Sequence, residues 1–337
     1  MKLLFHIGAE KTGTTSLQNW CAANRKALKA QGVFYSKALG HRNHLKIYQA
    51  SLGPTRDHPA FRRLGLGDVT SRNAFRDQVT RELAAEKAQA EAAGCHTFVL
   101  SNEHCHSQLN TQAEVDRSAE IVGPIFDEIE ILCSVRPQVD MAVSRCSTAA
   151  RAGFRIDRAY FESAAQLRHY FDFTRLAAFW STAYGKEAVT LVPFKRFPDC
   201  IDVIKGRLGL SGAPGFTAPL RENEALDIRV IATLNLLRDT PDALPGPTRK
   251  ALLDTPCFQR LQPGPELARA FQAQFDDANA ALIESFAGLE SGDLDPEWAK
   301  YDKPSNMDRL DVTGSENLSQ LIGYILDLNQ KKTTSAS

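Results

Sequence analysis

Five short apolar runs punctuate the first two thirds of the chain: Leu3–Ile7, Val33–Tyr35, Thr97–Leu100, Ile129–Val135 and Val189–Val192. Most lack the polar alternation of a strand with one wet face, so they read as strands covered on both sides. The stretches between them are longer and carry helical spacing. Leu17, Trp20, Cys21 and Leu28 fall near one face, and Val139, Ala142, Val143 and Cys146 recur at i, i+3, i+4 and i+7. Strand–helix alternation of this kind predicts the α/β class: a three-layer sandwich around a central parallel sheet of about five strands.

The remaining punctuation suggests how 337 residues are divided. Residues 40–73 hold Gly40, Gly53, Pro54, Pro59, Gly65 and Gly67 with scattered His and Arg, and read as a loop or lid insertion. A charged, Ala-rich helix is expected over Ala74–Ala93. Ser211-Gly212-Ala213-Pro214-Gly215 is a breaker. It closes an α/β core over residues 1–215. A helical C-terminal region, residues 216–330, is expected to pack on that core, with helices over Ala225–Leu237, Pro265–Leu289 and Ser315–Leu328. Residues 331–337 read as a disordered tail.

Composition narrows the partners. Lys plus Arg total 40 and Asp plus Glu total 40, so no global field draws the chain to nucleic acid or to a membrane surface. Any anion site must be local. No run approaches the roughly 18 apolar residues of a membrane span. The opening apolar stretch is too short for a signal peptide and meets Glu10 and Lys11 at once. The seven Cys are odd in number, and several sit in apolar runs such as Ile131–Val135, which suggests reduced thiols and a cytoplasmic protein. Oligomeric state is not legible.

Two motifs carry chemistry. The first is Gly8-Ala9-Glu10-Lys11-Thr12-Gly13-Thr14-Thr15, a Gly-bounded loop between the first strand and a helix starting near Thr15. The first turn of a helix leaves its N–H groups unpaired, and its dipole favours negative charge there. Thr14, Thr15 and Ser16 add hydroxyls. The same residues also suit a plain helix cap with no ligand. The spacing begins like a Walker A loop, but that motif needs Lys and then Ser or Thr directly after the second Gly. Here the Lys stands three positions too early, at Lys11. The second motif is Arg136-Pro137, with Pro137 at the expected first helical position and Ser144 eight residues beyond Arg136. Arg at the carboxyl end of a parallel strand faces the ligand crevice of open α/β sheets, and its planar fork suits phosphate.

Lys11-Thr12-Gly13-Thr14-Thr15-Ser16 resembles the 5′-phosphosulfate loop of sulfotransferases that use 3′-phosphoadenosine 5′-phosphosulfate (PAPS), and Arg136-Pro137…Ser144 resembles their 3′-phosphate motif. Val189–Phe194 with Phe197 and Leu208-Gly209-Leu210 is similar to the strand and helix that follow in bacterial members. Arg221-Glu222-Asn223-Glu224 is faintly similar to a downstream Asn-containing segment. The likeness covers residues 1–225. It implies a P-loop NTPase-like fold, PAPS as sulfuryl donor with PAP (3′-phosphoadenosine 5′-phosphate) as product, and no metal. Lys11 would stabilise the leaving group, residues 13–16 would hold the 5′-phosphosulfate, and Arg136 with Ser144 would hold the 3′-phosphate. Two features depart from the family: Cys146 stands where many members have Tyr, and the Gly-rich C-terminal segment of animal cytosolic members is not evident.

The acceptor's proton needs a base. Glu103, at the end of the third strand, is the candidate, as in some carbohydrate and tyrosyl-protein sulfotransferases. The other reading is that Asn102 caps a helix whose dipole Glu103 complements. His104 and His106 are rival bases, the animal cytosolic enzymes using a His. Cys95, His96 and Cys105 complete a Cys/His cluster without metal-ligand spacing. Arg42 and His44 in the insertion, with His104, are candidate contacts to an acidic saccharide acceptor; Arg56, Arg62 and Arg63 crowd the same segment, which also suits a solvated loop. The expected activity is O-sulfation of a hydroxyl, with a carbohydrate as acceptor. The alternatives are a P-loop kinase or NTPase, and a non-catalytic module binding a phosphonucleotide or glycan.

Overall fold

The computed structural model describes residues 1–218, 225–238 and 246–311. The expected Arg221–Glu224 segment, the Ser315–Leu328 helix and the 331–337 tail lie outside the described residues. The five strands are β1 (Lys2–Gly8), β2 (Val33–Tyr35), β3 (Thr97–Ser101), β4 (Glu128–Val135) and β5 (Val189–Pro193), in the order β2-β3-β1-β4-β5. Every pairing is parallel. Helices flank the sheet, so the fold is the expected α/β three-layer sandwich.

β1 shows why the pattern folds this way. Leu4 and His6 point to one face. There Leu4 joins Leu17, Trp20 and Cys21 of helix α1 (Thr14–Ala23) and Ile201 and Ile204 of the helix Cys200–Arg207 in one buried cluster. Phe5 points to the other face and meets Trp180 edge-on, with ring centroids 5.7 Å apart. Both faces are dry, which is what the uninterrupted apolar run implies.

Cα packing divides the chain into two units. The first holds residues 1–136, 169–222 and 277–294 and contains the whole sheet. The described residues of the second are 137–168, 225–238, 246–276 and 295–311, so residues 137–168 group with segments beyond residue 224. The breaker at Ser211–Gly215 carries no information about which helices pack together. Pro137 is the residue before the helix Gln138–Arg151, not its first position.

Within the second unit that helix starts on Gln272, whose Oε1 accepts from Val139 N–H at 3.1 Å and whose amide donates to Gln138 at 2.8 Å. Asp227, fully buried, caps the helix Ile228–Leu237. Its carboxylate also accepts both guanidinium contacts of Arg229 at 2.8 Å and the Phe258 and Gln259 amides.

The 40–73 segment is more regular than a loop. It forms helices over Leu45–Ser51 and Pro59–Arg63 and then enters the long helix Val69–Ala92, which begins at an Asp68–Ser71 capping box. Ile47, Ala60 and Phe61 are buried. Capping and burial outweigh the Gly and Pro content that suggested irregularity.

Candidate functional site

The sheet order reverses beside β1: β2 and β3 lie on one side, β4 and β5 on the other. Such a switch point opens a crevice at the strands' carboxyl ends. Several of the residues singled out by sequence cluster there, in the first unit.

The loop after β1 is pinned from below. Ala9 N–H donates to the Ser134 carbonyl at 3.0 Å, and Arg136 Nη1 donates to the Lys11 carbonyl at 2.8 Å. Gly8 has φ 119°, a backbone conformation that strains any residue with a Cβ, and a Cβ there would also lie only 3.2 Å from the Glu10 backbone nitrogen. Lys11 itself has φ 68°, a left-handed conformation rare for a side chain with a Cβ. Thr12 is buried, and its hydroxyl donates to the Ala9 carbonyl at 2.7 Å, so it staples the loop. Gly13 (φ 85°) precedes α1, which has neither a side-chain cap nor an acidic residue in its first turn. The dipole of a helix start of that kind favours negative charge beside it.

Glu103 stands at the same rim. Gln18 Nε2, one turn beyond Thr14 on α1, donates to Glu103 Oε2 at 2.6 Å. Asn43 Nδ2 donates to both carboxylate oxygens, at 2.9 and 3.1 Å. Asn102 Nδ2 in turn donates to Asn43 Oδ1. Asn102 also caps the helix His104–Gln108, accepting from Cys105 N–H at 3.1 Å. The capping reading is therefore right for Asn102. Glu103 makes no cap bond and spends its carboxylate on the two amides.

Three sequence candidates change character. His44 is fully buried: Nε2 donates to the Ser36 carbonyl and Nδ1 accepts from Ser101 N–H, both at 2.9 Å. Burial pushes its pKa down to about 3. It is a neutral clamp between the ends of β2 and β3, which corrects its assignment as an acceptor contact. His106, one of the rival bases, is locked as well. Nε2 faces the Tyr170 carbonyl at 2.9 Å and must donate, while Nδ1 accepts the Glu10 amide at 3.4 Å. Burial lowers its pKa to about 4, and neither nitrogen is left to take a proton. Arg42 is exposed, its Nη1 on Asn19 Oδ1 of α1 at 2.9 Å.

His104 keeps its place in the site. Its side chain is one-third exposed, with Nδ1 3.4 Å from Glu10 Oε1 and Nε2 3.8 Å from Glu103 Oε1. The Tyr48 ring lies against it at 5.2 Å. Burial disfavours its charge, but the Glu10 contact and the charges of Glu103 and Glu10 outweigh burial and raise its pKa.

Arg136 reaches the crevice from the end of β4. Besides clamping Lys11, its guanidinium lies 5.0 Å from the centroid of the Phe194 ring, just past β5. Ser144 is half-buried on the helix Gln138–Arg151 in the second unit. Its partnership with Arg136 rests on their spacing in sequence. Among the described residues no group of three His, Cys, Asp or Glu side chains is placed to hold a metal ion. None of the seven Cys is in a disulfide and six are buried, and no described helix is long and apolar enough to cross a membrane.

No family model matches the sequence, and no curated protein matches it. Among solved structures, the crystal structure of a sulfotransferase from Alicyclobacillus acidocaldarius is similar at 15% identity and a TM-score of 0.42, over 75% of this chain and 96% of that one. Sequence reading missed Glu10, Gln18, Asn43 and Tyr170 as site residues. Each is an ordinary polar residue whose role comes from a partner at least 60 positions away, and no local pattern announces that.

Proposed function

We propose that this chain is a sulfotransferase that moves the sulfuryl group of PAPS to a hydroxyl acceptor, a carbohydrate, and releases PAP. The observation that carries the reading is the juxtaposition of an uncapped helix start at Thr14–Ser16 with the Glu103 carboxylate, which two amides hold on the same rim. An anion cradle alone serves many nucleotides. A fixed carboxylate beside it is what transfer to a hydroxyl asks for in addition.

The roles follow from the chemistry. Backbone amides of residues 13–16 hold the 5′-phosphosulfate. Glu103 takes the proton of the acceptor hydroxyl as its oxygen bonds to sulfur. The bond between sulfur and the bridging oxygen breaks, and Lys11 stabilises the charge left on the 5′-phosphate of PAP. Arg136 takes the 3′-phosphate, the group that separates PAPS from ATP. Arg42 and His104 lie on the acceptor side. Lys11, standing before Gly13, does not reproduce the Walker A geometry of a kinase or NTPase.

PAP is the decisive ligand. At about 100 times its Kd, a ligand specific to the folded state adds about 2.7 kcal/mol of stability, worth roughly 5 °C in Tm for a chain of this size. A thermal shift of that order is expected with PAP and not with ATP. A shift with ATP and none with PAP overturns the reading.

A further inference from the structure

Glu10 sits inside the loop that is meant to receive an anion, which is an unfavourable place for a carboxylate. Its carboxylate is held by other groups. Tyr170 donates to Oε2 at 3.0 Å, Ser107 donates a second bond, and His104 Nδ1 stands 3.4 Å from Oε1. The backbone N–H of the same residue points to His106. On its other side His104 faces Glu103, at 3.8 Å. We propose that Glu10 is a positioning residue: pinned by Tyr170 and Ser107, it holds His104 as a counter-cation between the phosphate loop and Glu103, masking the loop's own negative charge so that an anionic donor can enter.

The inference rests on the sulfotransferase reading for the identity of the donor, but the pair itself does not. Burial alone would raise the Glu10 pKa; the bonds from His104 and Ser107 and the charge of His104 overcome it and bring it to about 2. Glu10 is thus ionised throughout the working pH range. The charged groups facing His104 are Glu10 from the loop, Glu103 from the end of β3 and Arg63 from the helix Pro59–Arg63; the first two favour its protonation and Arg63 opposes it. The Tyr48 ring covers it from the helix Leu45–Ser51. With a raised His104 pKa, the mask is complete below the ordinary histidine range. It is lost as pH rises through the raised value, leaving Glu10 unpaired beside the cradle.

The test is histidine titration by NMR on the whole chain without ligand, in wild type, Glu10→Gln and Tyr170→Phe, each first checked for unchanged melting. The His104 midpoint is expected above the usual histidine value in wild type and lower by about one unit or more in Glu10→Gln, as for loss of a carboxylate within contact distance. Tyr170→Phe, which only loosens the carboxylate, should fall between. PAP affinity is then measured between pH 6 and 9. It should fall several-fold more in wild type than in Glu10→Gln, because the variant has no loop charge to unmask. A His104 midpoint that does not move in Glu10→Gln overturns the pairing. Equal loss of affinity in both proteins overturns the masking. If PAP binds neither protein, the donor assignment fails, while the titration still decides whether Glu10 governs His104.

Discussion

Glu103→Gln is expected to lower sulfuryl transfer to any acceptor found with radiolabelled PAPS by about 10²–10⁴-fold, the usual contribution of a positioned base. The PAP-induced thermal shift should survive, because the proposed anion cradle belongs to the backbone of the loop and of α1. The substitution is not silent structurally. Both oxygens of Glu103 accept bonds from Gln18 and Asn43, and an amide NH₂ put in place of either oxygen faces a donor. Gln18 can turn its amide to present oxygen. Asn43 is held the other way by Asn102, so a loss of about 1–3 kcal/mol in stability accompanies the change. The rate is therefore read well below the variant's Tm. Unchanged product formation in a folded Glu103→Gln protein removes Glu103 from the mechanism and leaves His104, whose Nε2 stands 3.8 Å away, as the group to test.

Lys11→Ala should cost about 10²–10³-fold in kcat, the scale on which removing one group that stabilises developing charge is felt. Alanine carries a Cβ like lysine, so the left-handed backbone at φ 68° is no easier or harder to hold, and the Arg136 bond to the residue's carbonyl is kept. The comparison isolates the ammonium. A fall in kcat larger than the rise in KM for PAPS places the interaction in the transition state. A rise in KM with kcat unchanged means that Lys11 binds donor and transition state alike, and the leaving-group role is lost.

The sheet was legible because its signal is local and redundant. Each strand buries both faces, so Leu3–Ile7 or Ile129–Val135 stands out as an apolar run without reference to anything else, and the observed strands match these runs to within a residue. The loop was legible because glycine spacing reports backbone conformation directly, as the positive φ of Gly8 and Gly13 shows. What composition could not reveal was long-range burial. His44 and Arg42 lie two residues apart in the same segment, yet one is a sealed clamp between strand ends and the other is exposed. His104 and His106 are likewise two residues apart, on one helix. A carbonyl and an amide lock the second, while two carboxylates hold the first. Glu10 was invisible as a site residue because its meaning depends on Tyr170, 160 positions away. The grouping of residues 137–168 with C-terminal segments is a fact of packing that no breaker encodes.

Lys11 carries one further consequence. A left-handed backbone conformation costs a residue with a Cβ roughly 1–2 kcal/mol, and glycine is spared that cost. On the proposed mechanism, the sequence that folds best at this position and the sequence that reacts best are different sequences. Selection for thermal hardiness in the absence of donor would then drift toward glycine at position 11, at the expense of the proposed chemistry. If Lys11 has the proposed role, a lysine where glycine fits better is the point at which this chain trades robustness for reactivity.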